Sequence, residues 1–392
     1  MKKAPSLLRQ REQPASGKVT MIELFFDLVF VFAITRLSHT LLVQLTFRGA
    51  LEGTLLLLAV WWVWIYTSWV TNWLDPDRIP VRLCLFVLML AGLLMSVSIP
   101  GAFTASGLVF AGAYVFMQIG RTLFFLWAAR GEERNLVRNF QRILVWLGLS
   151  GVFWITGGLA TGNGRVTWWA LALLLEFASP ALYFWVPGLG RSSSTDWNVD
   201  ADHMAERCGL FVIIALGESL LVTGSTFAGS EWNPDTELAF LAALLGCMAM
   251  WWIYFDTGAE RAHNRIAHSR DPGRHARLAY TYLHALIVGG IIVCAVADDL
   301  ALVHPGAVGK ANIAVIVGGP MLYLLGTALF KWVTGDRPRP PLSHLGGLLM
   351  LCALLPPALA HLLSALTLSV LTTAVLMVVA VWESVALGRP LH

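Results

Sequence analysis

Apolar residues fall along this chain in long runs separated by polar or Pro/Gly-rich breaks. Twelve windows stand out, near 20–45, 50–73, 80–100, 104–130, 137–159, 167–187, 204–228, 234–258, 274–297, 309–335, 343–364 and 367–388. A run of about 20 apolar residues is what an α-helix needs to cross the hydrocarbon of a bilayer. The pattern predicts an all-α polytopic membrane protein with about twelve transmembrane helices. The least punctuated break is at 364–367, within "LLSALTLS".

Composition agrees. Of 392 residues, 57% are hydrophobic and only 13% charged, against about 25% charged in a typical soluble chain. The placement of charge gives an orientation. If the N-terminus is cytoplasmic, 22 of the 27 Lys and Arg fall in cytoplasmic segments, and only Arg48, Arg165 and Lys310 fall in outer loops. That asymmetry is the positive-inside pattern. It predicts an even number of spans and both termini on the cytoplasmic side. Residues 1–19 lack the apolar core of a secretory signal and read as a flexible cytoplasmic tail.

The two halves share short matches in the same order. "VWWVWIY" (60–66) returns as "MWWIYFD" (250–256), and "IGRTLFFLW" (119–127) as "LGTALFKW" (325–332). Glu23 and Glu206 each open the first helix of a half. These matches predict two six-helix repeats, 20–187 and 204–388, joined by the polar linker 188–203. Six spans per repeat make the repeats parallel.

Charges inside the apolar windows then become the candidates for chemistry. An ionised group at mid-bilayer costs roughly 2.5–3.5 kcal/mol on insertion scales, so such groups pair, face the interior or line a path. Glu23 and Asp27 are four residues apart and share one face of the first helix. Arg36 points to the opposite side of that helix, and His39 lies near its outer end. In the seventh helix, His203, Glu206 and Arg207 sit at the cytoplasmic start. Glu218 lies about 18 Å deeper by helix rise, followed by Ser219. Arg121 and Gln118 in the fourth helix, Glu176 in the sixth, Asp256 in the eighth, His284 in the ninth and Glu383 in the last complete the set. Asp298 and Asp299 close the ninth helix. Arg36 and Arg121 read as the cations deep enough to answer these acids, in the pairs Arg36–Glu218 and Arg121–Glu176. The competing reading is that buried ion pairs only hold helices together.

Other chemistry finds little support. The five cysteines show no metal-ligand spacing and read as packing residues. His203-x-x-Glu206 and the irregular set His263, His268 and His275 are weak metal candidates. No phosphate loop, dinucleotide fingerprint or nucleophile elbow occurs. No cofactor, metal or nucleic acid is expected, and enzymatic activity is not favoured. The loop 258–277 is Arg-rich and suits anionic lipid headgroups.

The blocks "ELFFDLVFVFAITRLSH" (23–39) and "HMAERCGLFVIIALGES" (203–219), with a WW pair near the start of each half, resemble the bacterial low temperature requirement A (LtrA) family over nearly the whole chain. Cys208 stands where that family commonly has an aromatic residue. The resemblance implies a polytopic inner-membrane protein in a family named for a cold-growth phenotype, and it implies no reaction. A weaker similarity is to the cation channels with a Phe-Ser-Asp signature. Phe26-Asp27 lacks the serine, and the second half has Gly209-Leu210 at that place.

The expectation is therefore transport of an ion or small solute, linked to protons, along a path between the repeats. Glu218 would be the proton or cation site, Asp27, Glu23 and Glu206 the cytoplasmic approach, and Arg36 or Arg121 the counter-charge. His39, Glu176, His284 and Ser219 are secondary candidates. The bilayer and the solute are the expected partners, and a homodimer is one assembly open to the chain. The alternative is a lipid-related membrane enzyme, or a non-transporting factor that supports growth in the cold.

Overall fold

A computed structural model describes residues 6–9, 18–193, 200–256, 275–306, 309–335 and 339–386. His263, His268 and nearly all of the Arg-rich loop lie outside the described residues, as do most of the N-terminal tail and the middle of the 188–203 linker.

Among the described residues twelve long helices follow one another: α1 Met21–Val43, α2 Phe47–Trp73, α3 Ile79–Ser98, α4 Gly107–Ala128, α5 Arg134–Leu159, α6 Gly162–Ala181, α7 Ala201–Ala228, α8 Pro234–Phe255, α9, α10 Lys310–Thr334, α11 Leu342–Leu359 and α12 Ala365–Ala386. The ninth, α9, opens with a π-helical turn, Arg277–Leu283, and continues as His284–Val303. No strand occurs among the described residues, only two isolated bridges, Leu8 with Leu74 and Val186 with Gly190. Among the described residues ten helices are long and apolar enough to cross a membrane. The other two are α1, which carries Glu23, Asp27 and Arg36, and α6, which opens with the polar run Gly162-Asn163-Gly164-Arg165.

Each apolar window of the sequence has its helix, and the ends follow local chemistry. Pro234 stands at the first turn of α8, where its missing N–H costs nothing, and Asn233 and Thr236 form a reciprocal capping box there. The break between α11 and α12 falls at residues 360–364, a few residues before its expected place.

The chain divides into two compact units, Met1–Leu37 with Leu51–Arg207, and Ser38–Ala50 with Cys208–His392. In the first, α3, α4, α5 and α6 pack as sequential neighbours. Trp61, Trp62, Trp64, Trp154 and Trp169 are fully buried in its core, and Trp62 stacks on Phe177 at 4.0 Å. Arg165 is buried where the α3–α4 and α5–α6 loops meet. It donates to the carbonyls of Ala102 and Thr104, both at 2.7 Å, and to Ala160 at 2.8 Å. The cation thus satisfies carbonyls that helix ends leave open.

In the second unit α9 and α10 lie closest together. A Cβ at Gly290 would stand 2.5 Å from Tyr323 N, and one at Gly326 would stand 2.9 Å from Ile287 N. Small residues let two backbones approach in this way inside a membrane. The second WW pair differs from the first. Trp251 and Trp252 are 46% and 44% exposed, because α8 lies at the surface of its unit while the Trp61–Trp62 segment of α2 is enclosed.

Gly290→Val should destabilise the protein by about 1–3 kcal/mol through overpacking. Gly318→Ala, on the same helix pair but with open space at its Cβ, should be neutral. Unfolding temperatures in detergent would separate the two.

Candidate functional site

Where α1 and α7 begin and α2 ends, the first unit buries a compact set of charges. Glu23, Asp27, His203 and Arg207 are each 0% exposed. The spacing is the reason. Glu23 and Asp27 are one helical turn apart on α1, and His203 and Arg207 are one turn apart on α7, so two ladders of equal pitch face each other.

The first rung joins Glu23 to His203, with Nε2 2.8 Å from Oε1. The second joins Asp27 to Arg207, with Nη2 2.7 Å from Oδ1. Arg207 also reaches across the rungs, its Nη1 3.5 Å from Glu23. Glu23 is held further by Thr20, whose N–H and hydroxyl both donate to Oε2 at 2.9 Å. The backbone half of that contact is the returning arm of a capping box.

The third element, α2, sets orientation. The Trp64 indole N–H donates to Asp27 Oδ1 at 2.8 Å. Ser68 Oγ accepts from Arg207 at 3.2 Å, and the guanidinium carbon lies 5.6 Å from the Trp64 ring centroid. Asn72 exchanges two hydrogen bonds with the Asp200 backbone, which fixes its amide so that Nδ2 faces His203 Nδ1 at 3.3 Å. With Nδ1 accepting from Asn72, a neutral imidazole carries its proton on Nε2 and gives it to Glu23, and Arg9 Nη2, 3.2 Å from Nε2, is then a neighbouring cation and not a hydrogen-bond donor to the ring.

The fourth element is the N-terminal segment. Leu8 bridges Leu74, and Arg9 N donates to Trp73 O at 2.8 Å. The Arg9 side chain then reaches Glu23 Oε2 at 2.9 Å and the Thr71 carbonyl at 2.9 Å. Part of the segment expected to be a flexible tail is therefore anchored. With neutral His203, two carboxylates and two guanidinium groups balance.

The balance in charge leaves hydrogen-bonding capacity unused. Asp27 Oδ2 and Arg207 Nε and Nη1 are buried without a hydrogen-bond partner among the described residues. Most buried polar atoms are paired. An open carboxylate oxygen beside a guanidinium group is a place where a proton can be accepted.

Other expected site residues fall elsewhere. Glu206 is exposed, and its Oε2 accepts from Val19 N at 3.1 Å, so it points away from the ladder. Arg36 is exposed, with its guanidinium 4.8 Å from the Phe32 ring centroid, and His39 is exposed too. Glu218 and Ser219 are buried on the part of α7 that belongs to the second unit, whereas Arg36 belongs to the first.

The expected Arg121–Glu176 pair is not a direct contact. Arg121 donates to Gln118 Oε1 at 2.5 Å, Gln118 Nε2 donates to the Tyr114 hydroxyl at 3.1 Å, and Tyr114 donates to Glu176. Glu176 also accepts from Ser150 at 2.6 Å and Trp154 at 3.0 Å. His284 lies between Tyr254 OH, at 2.7 Å, and Ala279 O, at 2.8 Å, and locks the junction of the π-turn with α9.

Sequence reasoning placed His203 and Arg207 at a helix start and missed them as partners. It took Arg36 and Arg121 as the deep cations; Arg121 is buried, Arg36 is exposed, and Arg207 is fully buried as well. Lys331 is a further one, 2.7 Å from Glu383. The signal that would have found the ladder was the equal four-residue spacing of Glu23/Asp27 and His203/Arg207.

The sequence model of the bacterial low temperature requirement A protein (LtrA) matches residues 18–381. An uncharacterised protein of Rhizobium meliloti (strain 1021) is 42% identical over 382 residues, covering 96% of this chain and 92% of its own length. No solved structure matches.

Arg207→Met leaves Asp27 buried without its cation and should cost about 3–5 kcal/mol. The double variant Asp27→Asn/Arg207→Met removes both charges of the rung and should recover a substantial part of that loss. Thermal unfolding of the two variants beside wild type would measure the coupling.

Proposed function

The chain belongs to the bacterial low temperature requirement A (LtrA) family, and from that premise we propose that it moves an ion or small solute across the membrane, coupled to protons. All twelve helices cross the bacterial cytoplasmic membrane in this reading. Both termini face the cytoplasm, and residues 20–187 and 204–388 form two parallel repeats. The Lys and Arg asymmetry and the ten long apolar helices support that arrangement.

The observation that carries the reading is the open oxygen of Asp27 beside Arg207. A carboxylate held only to lock helices would be expected to have both oxygens engaged, as in Glu23 and Glu176. Asp27 instead keeps one oxygen available while the other is fixed by Trp64 and Arg207. Adding a proton there would release Arg207 from its strongest partner. Protonation and a shift of α7 against α1 would then be coupled through one ion pair. Glu218, buried farther along α7, is a second station on the same helix. Glu206, Arg36 and His39 are exposed and have no part in this step.

The test is flux in proteoliposomes that enclose a pH-sensitive dye, with K⁺, Na⁺ and proton gradients imposed in turn. Wild type should show gradient-driven flux. Asp27→Asn should reduce it by at least about tenfold, the worth of one charge-assisted contact. Glu218→Gln should reduce it independently. Flux unchanged in Asp27→Asn would remove the ladder from the mechanism. Absence of wild-type flux under every gradient would favour the lipid-related alternative.

A further inference from the structure

In the second unit α8, α9, α10 and α12 line a small, partly open cavity of about 20 Å³. That is room for one water molecule or one ion of similar size. Its lining is unusual for the interior of an apolar bundle. Asp298 contributes a carboxylate from α9, and Ser369, Thr372 and Thr373 contribute three hydroxyls from α12.

A further oxygen comes from the backbone. Pro320 interrupts α10. A proline has no N–H, so the carbonyl four residues earlier loses its helical hydrogen bond. That residue is Ile316, and both Ile316 and Pro320 line the cavity. A freed carbonyl inside a membrane is tolerated only where something else satisfies it.

Two of the three hydroxyls are set as acceptors. Thr372 gives its proton to the Ser369 carbonyl at 2.9 Å, and Thr373 gives its proton to the Ala242 carbonyl at 3.2 Å. Their lone pairs are left over. Ser369 is 3% exposed and has no side-chain partner among the described residues. Asp298 likewise has neither a hydrogen bond nor an ion pair there. Its neighbour Asp299 is engaged by the Thr226 hydroxyl. One carboxylate, three hydroxyl oxygens and the Ile316 carbonyl thus meet, and the Ser369 hydroxyl is the one donor among them whose proton is not already given elsewhere.

We propose that this cavity, formed by Asp298, Ser369, Thr372, Thr373 and the Ile316 carbonyl, is a binding site for a single dehydrated monovalent cation of the size of Na⁺. All the ligands are hard oxygens, which suits alkali and alkaline-earth ions and not soft transition metals. One carboxylate balances one positive charge, whereas divalent sites with high affinity recruit more carboxylates. Discontinuous helices whose carbonyls face a buried cation are a known solution to this problem in membranes. The site is built within one unit and does not rest on the transport reading.

The test is binding, measured apart from flux. Purified full-length protein would be titrated with NaCl against choline chloride at constant ionic strength. Unfolding temperature and bound ²²Na⁺ would be followed. Wild type should show a saturable rise in unfolding temperature and one Na⁺ bound per chain. Asp298→Asn should abolish both. Ser369→Ala, which removes one neutral ligand and disturbs folding least, should weaken Na⁺ binding by about tenfold. Equal responses to choline and Na⁺, no bound ²²Na⁺, or unchanged affinity in Ser369→Ala and Asp298→Asn would each overturn the site. Na⁺ binding without flux would retire only the transport reading, and flux without Na⁺ binding only this one.

Discussion

Two carboxylates on one face of an apolar helix must be answered by two positive groups at matching height, and the first unit is organised around that requirement. Glu23 and Asp27 cannot be solvated where they lie. The cost of burying them is offset only by close, well-oriented partners. The register of α7 follows, because His203 and Arg207 must stand level with the acids. The identity of α2 at Trp64, Ser68 and Asn72 follows as well, since these residues orient the charges without adding to them. A shift of α7 by one residue would carry both basic groups to another face.

The same rule recurs through the chain with different solutions. Arg165 meets carbonyls at helix ends, Lys331 meets Glu383 and the Ile253 carbonyl, and Glu176 is saturated by three neutral donors. These groups have their capacity filled and account for themselves as fasteners between helices. Asp27 and Asp298 differ, because each retains oxygen that no described side chain occupies. The distinction between a structural and a working charge is drawn here by leftover hydrogen-bonding capacity, not by burial.

Much of the architecture was legible in advance. Apolar run length fixed the positions of the helices to within a few residues, since crossing hydrocarbon sets a minimum length that loops cannot imitate. Glu23 and Asp27 were legible as a pair because their spacing is local. Their partners were not, because pairing His203 and Arg207 with them spans 180 residues of sequence. Burial also misled: Arg207 looked peripheral at a helix start and is fully buried, while Arg36 looked central and is exposed. The polar cavity at Asp298 was hidden for a related reason. Its ligands come from three helices, and one is a backbone carbonyl whose availability depends on a proline four residues away.

Arg9 gives the ladder an unusual dependence. Three of its four charged members are carried on long helices, but the fourth arrives on a short segment pinned by a single bridge between Leu8 and Leu74. The electroneutrality of the most enclosed charges in the unit is therefore set from the chain's outer margin. Removal of this short segment would act at a distance on the interior. It would do so by withdrawing one counter-ion and without touching a single membrane helix.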